Sequence, residues 1–349
     1  MSTFRVGITP DFFVEAKGRY EAALEKKLAG VAGLDYGPMP PQPGKRGTPE
    51  AINQFDAIFS LALKITRESL IGVDRPAIVA RWGVGYDMID VPALTDAGIA
   101  LTINPQAVKR PVAEAILTFI FALSKDLRFQ DNLVRSGKWR GELRRLGMGV
   151  TGKVLGSVGC GNIAREMFRI SQSLGFSRLI ATDPFCDKQA ARDLGVELMS
   201  LDEVMAQSDY VTVNTFLNDS TRNLIGEAQL RLMKPTAFLI NTARGPIVDQ
   251  RAITKALREK WIAGAGLDVF EQEPPDSADP LFELDNVILS PHGLAWTEEI
   301  CRDNSLEAGD HILSVARGEI PEGIVNREVI DHPAFRAKLE RYATAKAHA

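Results

Sequence analysis

Residues 154–174 read VLGSVGCGNIAREMFRISQSL. A short apolar run, Val154–Val158, is followed by Gly159-Cys160-Gly161-Asn162-Ile163-Ala164 and then by a helical pattern over Arg165–Leu174. That is G-x-G-x-x-A between a strand and a helix, the placement a dinucleotide-binding turn requires. Gly159 permits the tight turn, Gly161 lets backbone approach a pyrophosphate, and Ala164 lets the helix pack close to the strand. Amides at the helix start, around Asn162 and Ile163, face the anion. About 20 residues on, the run Leu179–Asp183 ends in a carboxylate placed to accept hydrogen bonds from an adenosine ribose. Asp183 repels a 2′-phosphate, and Pro184-Phe185 supplies no arginine directly after it. The expected cofactor is NAD, with NADP less favoured.

Outward from this turn, strand-like and helix-like runs alternate along nearly the whole chain, the pattern of parallel α/β architecture. Strands are expected at Phe4–Thr9, Leu34–Tyr36, Ala57–Leu61, Ala77–Arg81 and Ile99–Asn104. A second series follows at Val154–Val158, Leu179–Asp183, Tyr210–Val213, Ala237–Asn241, Gly264–Leu267 and Val287–Leu289. One charged helix is expected around Phe13–Ala29. Pro111 reads as the first residue of a long helix through Leu127, with Glu114 in its first turn. Since six strands complete the second series, the helix over 298–317 returns to the first unit, and a polar tail ends the chain. The expectation is a substrate domain over 1–104 and 297–349, with a dinucleotide domain over 105–296 inserted into it. Helices near 111–127 and 298–317 make the hinge.

The chain has 349 residues and a net charge of −4, from 41 Lys and Arg against 45 Asp and Glu. At roughly 150 residues per domain this length suggests two domains. The mild acidity argues against nucleic-acid or membrane-surface partners. The longest apolar stretch, Ala115–Leu123, is about half the roughly 20 residues a bilayer span needs. Three scattered cysteines, Cys160, Cys186 and Cys301, form no CxxC pair, so a reducing cytoplasm is expected and a disulfide scaffold is not. No signal peptide is read at the start, because Phe4–Ile8 is already strand-like.

A hydride carrier leaves the protein to hold the substrate and move a proton, a task suited to histidine near neutral pH. Of four histidines, His348 lies in the polar tail, His332 in a Pro-flanked surface segment and His311 inside a helix. Only His292 follows a strand at its carboxyl end, where ligands of open α/β sheets gather. Arg244 and Glu273 occupy the same kind of place after their own strands. Arg244 is suited to fork a substrate carboxylate, His292 to deliver a proton, and Glu273 to keep the imidazole charged. Each also fits a plain strand-end ion pair. One candidate histidine without neighbouring ligands makes no metal site, so none is expected.

Five stretches carry a wider resemblance: WGVGYDMID (Trp82–Asp90), PVAEAIL (Pro111–Leu117), NTARGPIVD (Asn241–Asp249), AGLDVFEQEP (Ala265–Pro274) and SPHG (Ser290–Gly293). Together they resemble the D-isomer-specific 2-hydroxyacid dehydrogenases, the group that includes glyoxylate and hydroxypyruvate reductases and phosphoglycerate dehydrogenase. The likeness implies two similar α/β domains, Rossmann-like and flavodoxin-like, flanking a cleft, and commonly a homodimer. It implies that Arg244, Glu273 and His292 are carboxylate binder, imidazole partner and acid/base. By the same likeness Asp268 binds near the nicotinamide carboxamide, and amides of Val84 and Gly85 hold the substrate carboxylate. The expected cofactor-binding set is then Gly159, Gly161, Asn162, Ile163, Asp183, Thr215, Thr242, Ala243 and Asp268. The expected partner is a small 2-keto or 2-hydroxy acid. Trp296 stands where the family has a small, Gly-rich stretch and is placed to line or narrow the pocket; an apolar substrate would also implicate Leu61 and Trp82. Lys109-Arg110 fits either a second anionic group on a substrate or a solvated pair. An NAD-sensing corepressor-like protein and a formate or imino-acid oxidoreductase are rival readings of the same motifs.

Overall fold

Strands buried on both faces need cover on both faces, which parallel β-α-β winding supplies. The computed structural model describes residues 3–347. The chain divides into two units, Met1–Val108 with Thr297–Ala349, and Lys109–Trp296. The first unit carries β1 (Phe4–Ile8), β2 (Leu34–Pro38), β3 (Ala57–Ser60), β4 (Ile78–Arg81) and β5 (Ala100–Thr102) in the order β2-β1-β3-β4-β5, all parallel. This is the flavodoxin-like winding. Every residue of β3, β4 and β5 is buried.

The second unit carries β6 (Val154–Val158), β7 (Arg178–Thr182), β8 (Val196–Leu198), β9 (Tyr210–Val213), β10 (Phe238–Asn241), β11 (Gly264–Leu267) and β12 (Val287–Leu289). Their order is β12-β11-β10-β9-β6-β7-β8, again all parallel. The winding reverses between β6 and β9, the crevice where Rossmann folds bind ligands.

Four sequence expectations require correction. The second sheet has seven strands, since β8 adds a three-residue edge too short to announce itself. The helix expected over Phe13–Ala29 is two, Phe12–Glu15 and Glu21–Leu28, and between them Gly18 takes φ 72°. The long helix begins at Pro105 and runs to Ser124, placing Pro111 inside it. Its first turn is capped from within the unit: the Ala107 amide donates to the Glu307 carboxylate (3.0 Å). The expected polar tail instead contains a helix, Pro333–Ala347. Phe335, Leu339 and Tyr342 of that helix are buried at helical spacing. His348 lies outside the described residues. Among the described residues, no helix is long and apolar enough to cross a membrane, and no group of three or more His, Cys, Asp or Glu is placed to hold a metal ion.

Candidate active site

The glycine-rich turn leaves β6 at the switch point. Gly159 takes φ 102°, and a β-carbon there would stand 2.4 Å from the Asn214 carbonyl oxygen, so only glycine fits. At Gly161 the equivalent position meets nothing within 4 Å, leaving open space beside the backbone. The helix Asn162–Ser171 starts there, with Ala164 fully buried against the sheet. Among the described residues, the amides of Gly161, Asn162 and Ile163 donate to no acceptor. Three unpaired donors at a helix start fit a pyrophosphate.

Asp183, one residue past β7, accepts the Cys160 amide on Oδ2 and the Phe185 amide on Oδ1, both at 2.8 Å. These bonds tie it to the glycine turn while each oxygen keeps a lone pair for a ribose hydroxyl. Thr215 follows β9 in the loop opened by Asn214. Thr242 and Ala243 follow β10. The turn is held by Asn241, whose side chain accepts the Ala243 amide (3.0 Å) and donates to the Arg244 carbonyl (2.9 Å). These residues therefore fit a nicotinamide dinucleotide.

Arg244, Glu273 and His292 all belong to the second unit, on the loops that follow β10, β11 and β12. His292 Nδ1 lies 2.7 Å from Glu273 Oε2. The two side chains are 45% and 37% exposed. Partial burial pushes the Glu273 carboxyl up. The hydrogen bond and charge of His292, the Phe270 amide (3.0 Å) and the Arg244 charge outweigh it, holding the carboxyl below its usual range. Arg244 thus stands close enough for its charge to act on Glu273. Its Nη1 also donates to the Ala243 carbonyl (2.7 Å).

His292 adopts φ 51°, the left-handed region that costs a non-glycine residue energy. Asp268 holds it there. Its backbone carbonyl accepts the His292 amide (2.8 Å). Its buried Oδ1 accepts the Ser290 hydroxyl (2.5 Å) and the Gly293 and Leu294 amides (3.0 and 3.2 Å). Sequence reading assigned Asp268 to the cofactor and missed this grip, as it missed Asn241 and Ser290. Both lie inside the quoted motifs, but the Asn241 side chain bonds backbone atoms and the Ser290 hydroxyl bonds the Asp268 carboxylate, pairings that no spacing reveals.

The remaining candidates lie on other elements. In the first unit, Val84 and Gly85 lie in the loop after β4, half-buried. Trp82 and Leu61 are buried in that unit's core, the indole edge-on to Phe12 and donating to the Ser305 hydroxyl (3.0 Å). Arg110 pairs with Glu114 (2.5 Å) and Glu166 (3.4 Å) on an exposed helix face, an arrangement of the solvated kind. His311 is buried within the helix Glu298–Ala316, and burial lowers its pKa.

Residues 117–293 match the family model for the D-isomer specific 2-hydroxyacid dehydrogenase, NAD binding domain. A glyoxylate reductase of Korarchaeum cryptofilum is 38% identical over 292 residues, covering 82% of this chain and 88% of that protein. The crystal structure of a glyoxylate reductase from Paecilomyes thermophila superposes with a TM-score of 0.80 at 27% identity, covering 93% of this chain and 99% of that one. A D-mandelate dehydrogenase structure from Rhodotorula graminis gives 0.81 at 25% identity, covering 94% and 99%. With a nicotinamide-dinucleotide fold and these relatives, the chain belongs to the D-isomer specific 2-hydroxyacid dehydrogenase family of oxidoreductases.

Proposed function

We propose that this enzyme reduces 2-keto acids to D-2-hydroxy acids with NADH and catalyses the reverse oxidation. The observation that carries the proposal is the 2.7 Å contact between Glu273 and His292, with the Arg244 charge beside it. A bound nicotinamide dinucleotide supplies or accepts the hydride. Arg244 binds the substrate carboxylate with its planar fork and polarises the neighbouring carbonyl. His292 gives a proton to the carbonyl oxygen as negative charge develops there, and takes it back in oxidation. Glu273 orients the imidazole through their hydrogen bond. Asp268 keeps the His292 turn in its strained shape and offers its second oxygen to the carboxamide. Gly159, Gly161, Asn162, Ile163, Thr215, Thr242 and Ala243 line the path of the dinucleotide. Asp183 accepts the ribose hydroxyls and disfavours a 2′-phosphate. In the first unit, the amides of Val84 and Gly85 bind carboxylate.

The same reading carries a homodimer in a reducing cytoplasm. Its test is NADH consumption with glyoxylate, hydroxypyruvate, pyruvate, and branched and aromatic 2-keto acids, alongside formate plus NAD. Turnover of at least one keto acid, and none of formate, is the expected result. Absence of turnover across the panel refutes the proposal.

A further inference from the structure

We propose that Arg81 is the positioning residue of a carboxylate-binding loop in the first unit, a buried guanidinium that sets the amides of Val84 and Gly85. The inference deepens the function proposed above, since it rests on those amides receiving a substrate carboxylate.

Arg81 ends β4 and is 8% exposed, an unusual location for a guanidinium. Its Nε donates to the Gly85 carbonyl (2.7 Å), and its Nη1 donates to the carbonyls of Trp82 (2.7 Å) and Ser60 (3.4 Å). Both ends of the 82–85 loop are therefore folded back onto one side chain. The carbonyl between them, on Gly83, accepts the Asn104 amide (3.0 Å).

A planar trans peptide directs each N–H opposite to the preceding carbonyl. Holding the Gly83 carbonyl toward Asn104 therefore turns the Val84 amide away from it. Fixing the carbonyls on either side leaves the Gly85 amide little freedom. Among the described residues, neither the Val84 nor the Gly85 amide donates to any acceptor. Gly83, at φ 123°, makes the reversal, and its side-chain position faces Arg81 Nη1 at 3.9 Å. The loop thus has engaged carbonyls and two available backbone donors, a combination that selects an anion. Trp82 anchors the loop's start through Ser305 and Phe12, independently of Arg81.

The test compares the unmodified enzyme with Arg81→Met, Arg81→Lys and Arg81→Ala. Glyoxylate and NADH serve for turnover, and oxalate binding to the NADH complex is read by fluorescence. Arg81→Met should raise the glyoxylate KM and the oxalate Kd about tenfold or more, the scale of losing one or two oriented hydrogen bonds to a charged group. Its kcat should stay within about threefold and its NADH affinity unchanged. Arg81→Lys should fall between, because an ammonium lacks the fork. Guanidinium ion added to Arg81→Ala should restore the KM. An unchanged KM and oxalate Kd in folded Arg81→Met overturns the proposal. So does a parallel loss of kcat, NADH binding and thermal stability without guanidinium rescue, which marks a merely structural residue. If the unmodified enzyme reduces no keto acid, the functional reading fails, while oxalate affinity still decides the role of Arg81.

Discussion

Gly245→Ala places one methyl group where the structure has no room. Gly245 follows Arg244 and opens the short turn Gly245–Ile247. A β-carbon on it would lie 1.9 Å from both the carbonyl carbon and oxygen of Phe270 and 2.6 Å from the Glu271 nitrogen. Ordinary contact begins near 3.4 Å, so the two backbones must part by about 1.5 Å. Glu273 is carried on the displaced loop and is tied to its Phe270 amide. A shift of that size takes the 2.7 Å contact with His292 to roughly 4 Å, beyond hydrogen-bond reach. Misplacing a catalytic group by about 1 Å costs on the order of 100-fold, or about 2.7 kcal/mol of barrier. Steady-state kinetics with glyoxylate should show kcat reduced about 100-fold. Overpacking should cost about 1–3 kcal/mol and lower Tm by a few degrees. A kcat within threefold of the parent, at unchanged Tm, would refute the claim that this close approach sets Glu273.

Asp183→Ala removes both a hydroxyl acceptor and an anion, so the NADH-over-NADPH preference in kcat/KM should fall at least about tenfold; a parent that uses NADPH equally well contradicts the assignment. Lys338 donates to the carbonyls of Pro76, Ala97 and Gly98 at 2.7, 3.2 and 3.1 Å, and Lys338→Met should cost about 2–4 kcal/mol in urea unfolding. Burial pushes the Lys338 ammonium down to about 8, so between pH 8 and about 10.4 the unfolded chain binds more protons there. The stability gap between parent and Lys338→Met should therefore widen as pH rises through that window; a gap that narrows reverses the sign and defeats the reasoning. Glu273, held below the usual carboxylate range, stays ionised as pH falls through about 4.3. The reduction profile should accordingly show no acid-side loss above pH 5 that vanishes in Glu273→Gln.

Much of this was legible in sequence for physical reasons. Strands such as Ala57–Ser60 and Ile78–Arg81 are buried on both faces, so they read as apolar runs rather than alternations. The glycine turn was legible because a backbone approaching a pyrophosphate admits few residues. β8 escaped notice because three residues, only the first of them buried, carry no period. The helix Pro333–Ala347 was hidden by its charges, although Phe335, Leu339 and Tyr342 share one face, because Lys338 is itself buried by bonding backbone carbonyls. Pro111 misled because proline usually marks a helix start, whereas here Glu307 caps the helix six residues earlier. Within the site, the side chains of Arg244, Glu273 and His292, on the loops that follow their strands, announced themselves as candidates. Those that grip backbone, Asn241, Asp268 and Arg81, needed coordinates.

One measurement bears most directly on the central claim that His292 moves the proton for hydride transfer. Single-turnover and steady-state reduction of the best 2-keto acid by His292→Ala should be slowed about 100- to 10,000-fold while NADH binds as in the parent. Turnover within about threefold of the parent, with NADH binding intact, would contradict the account.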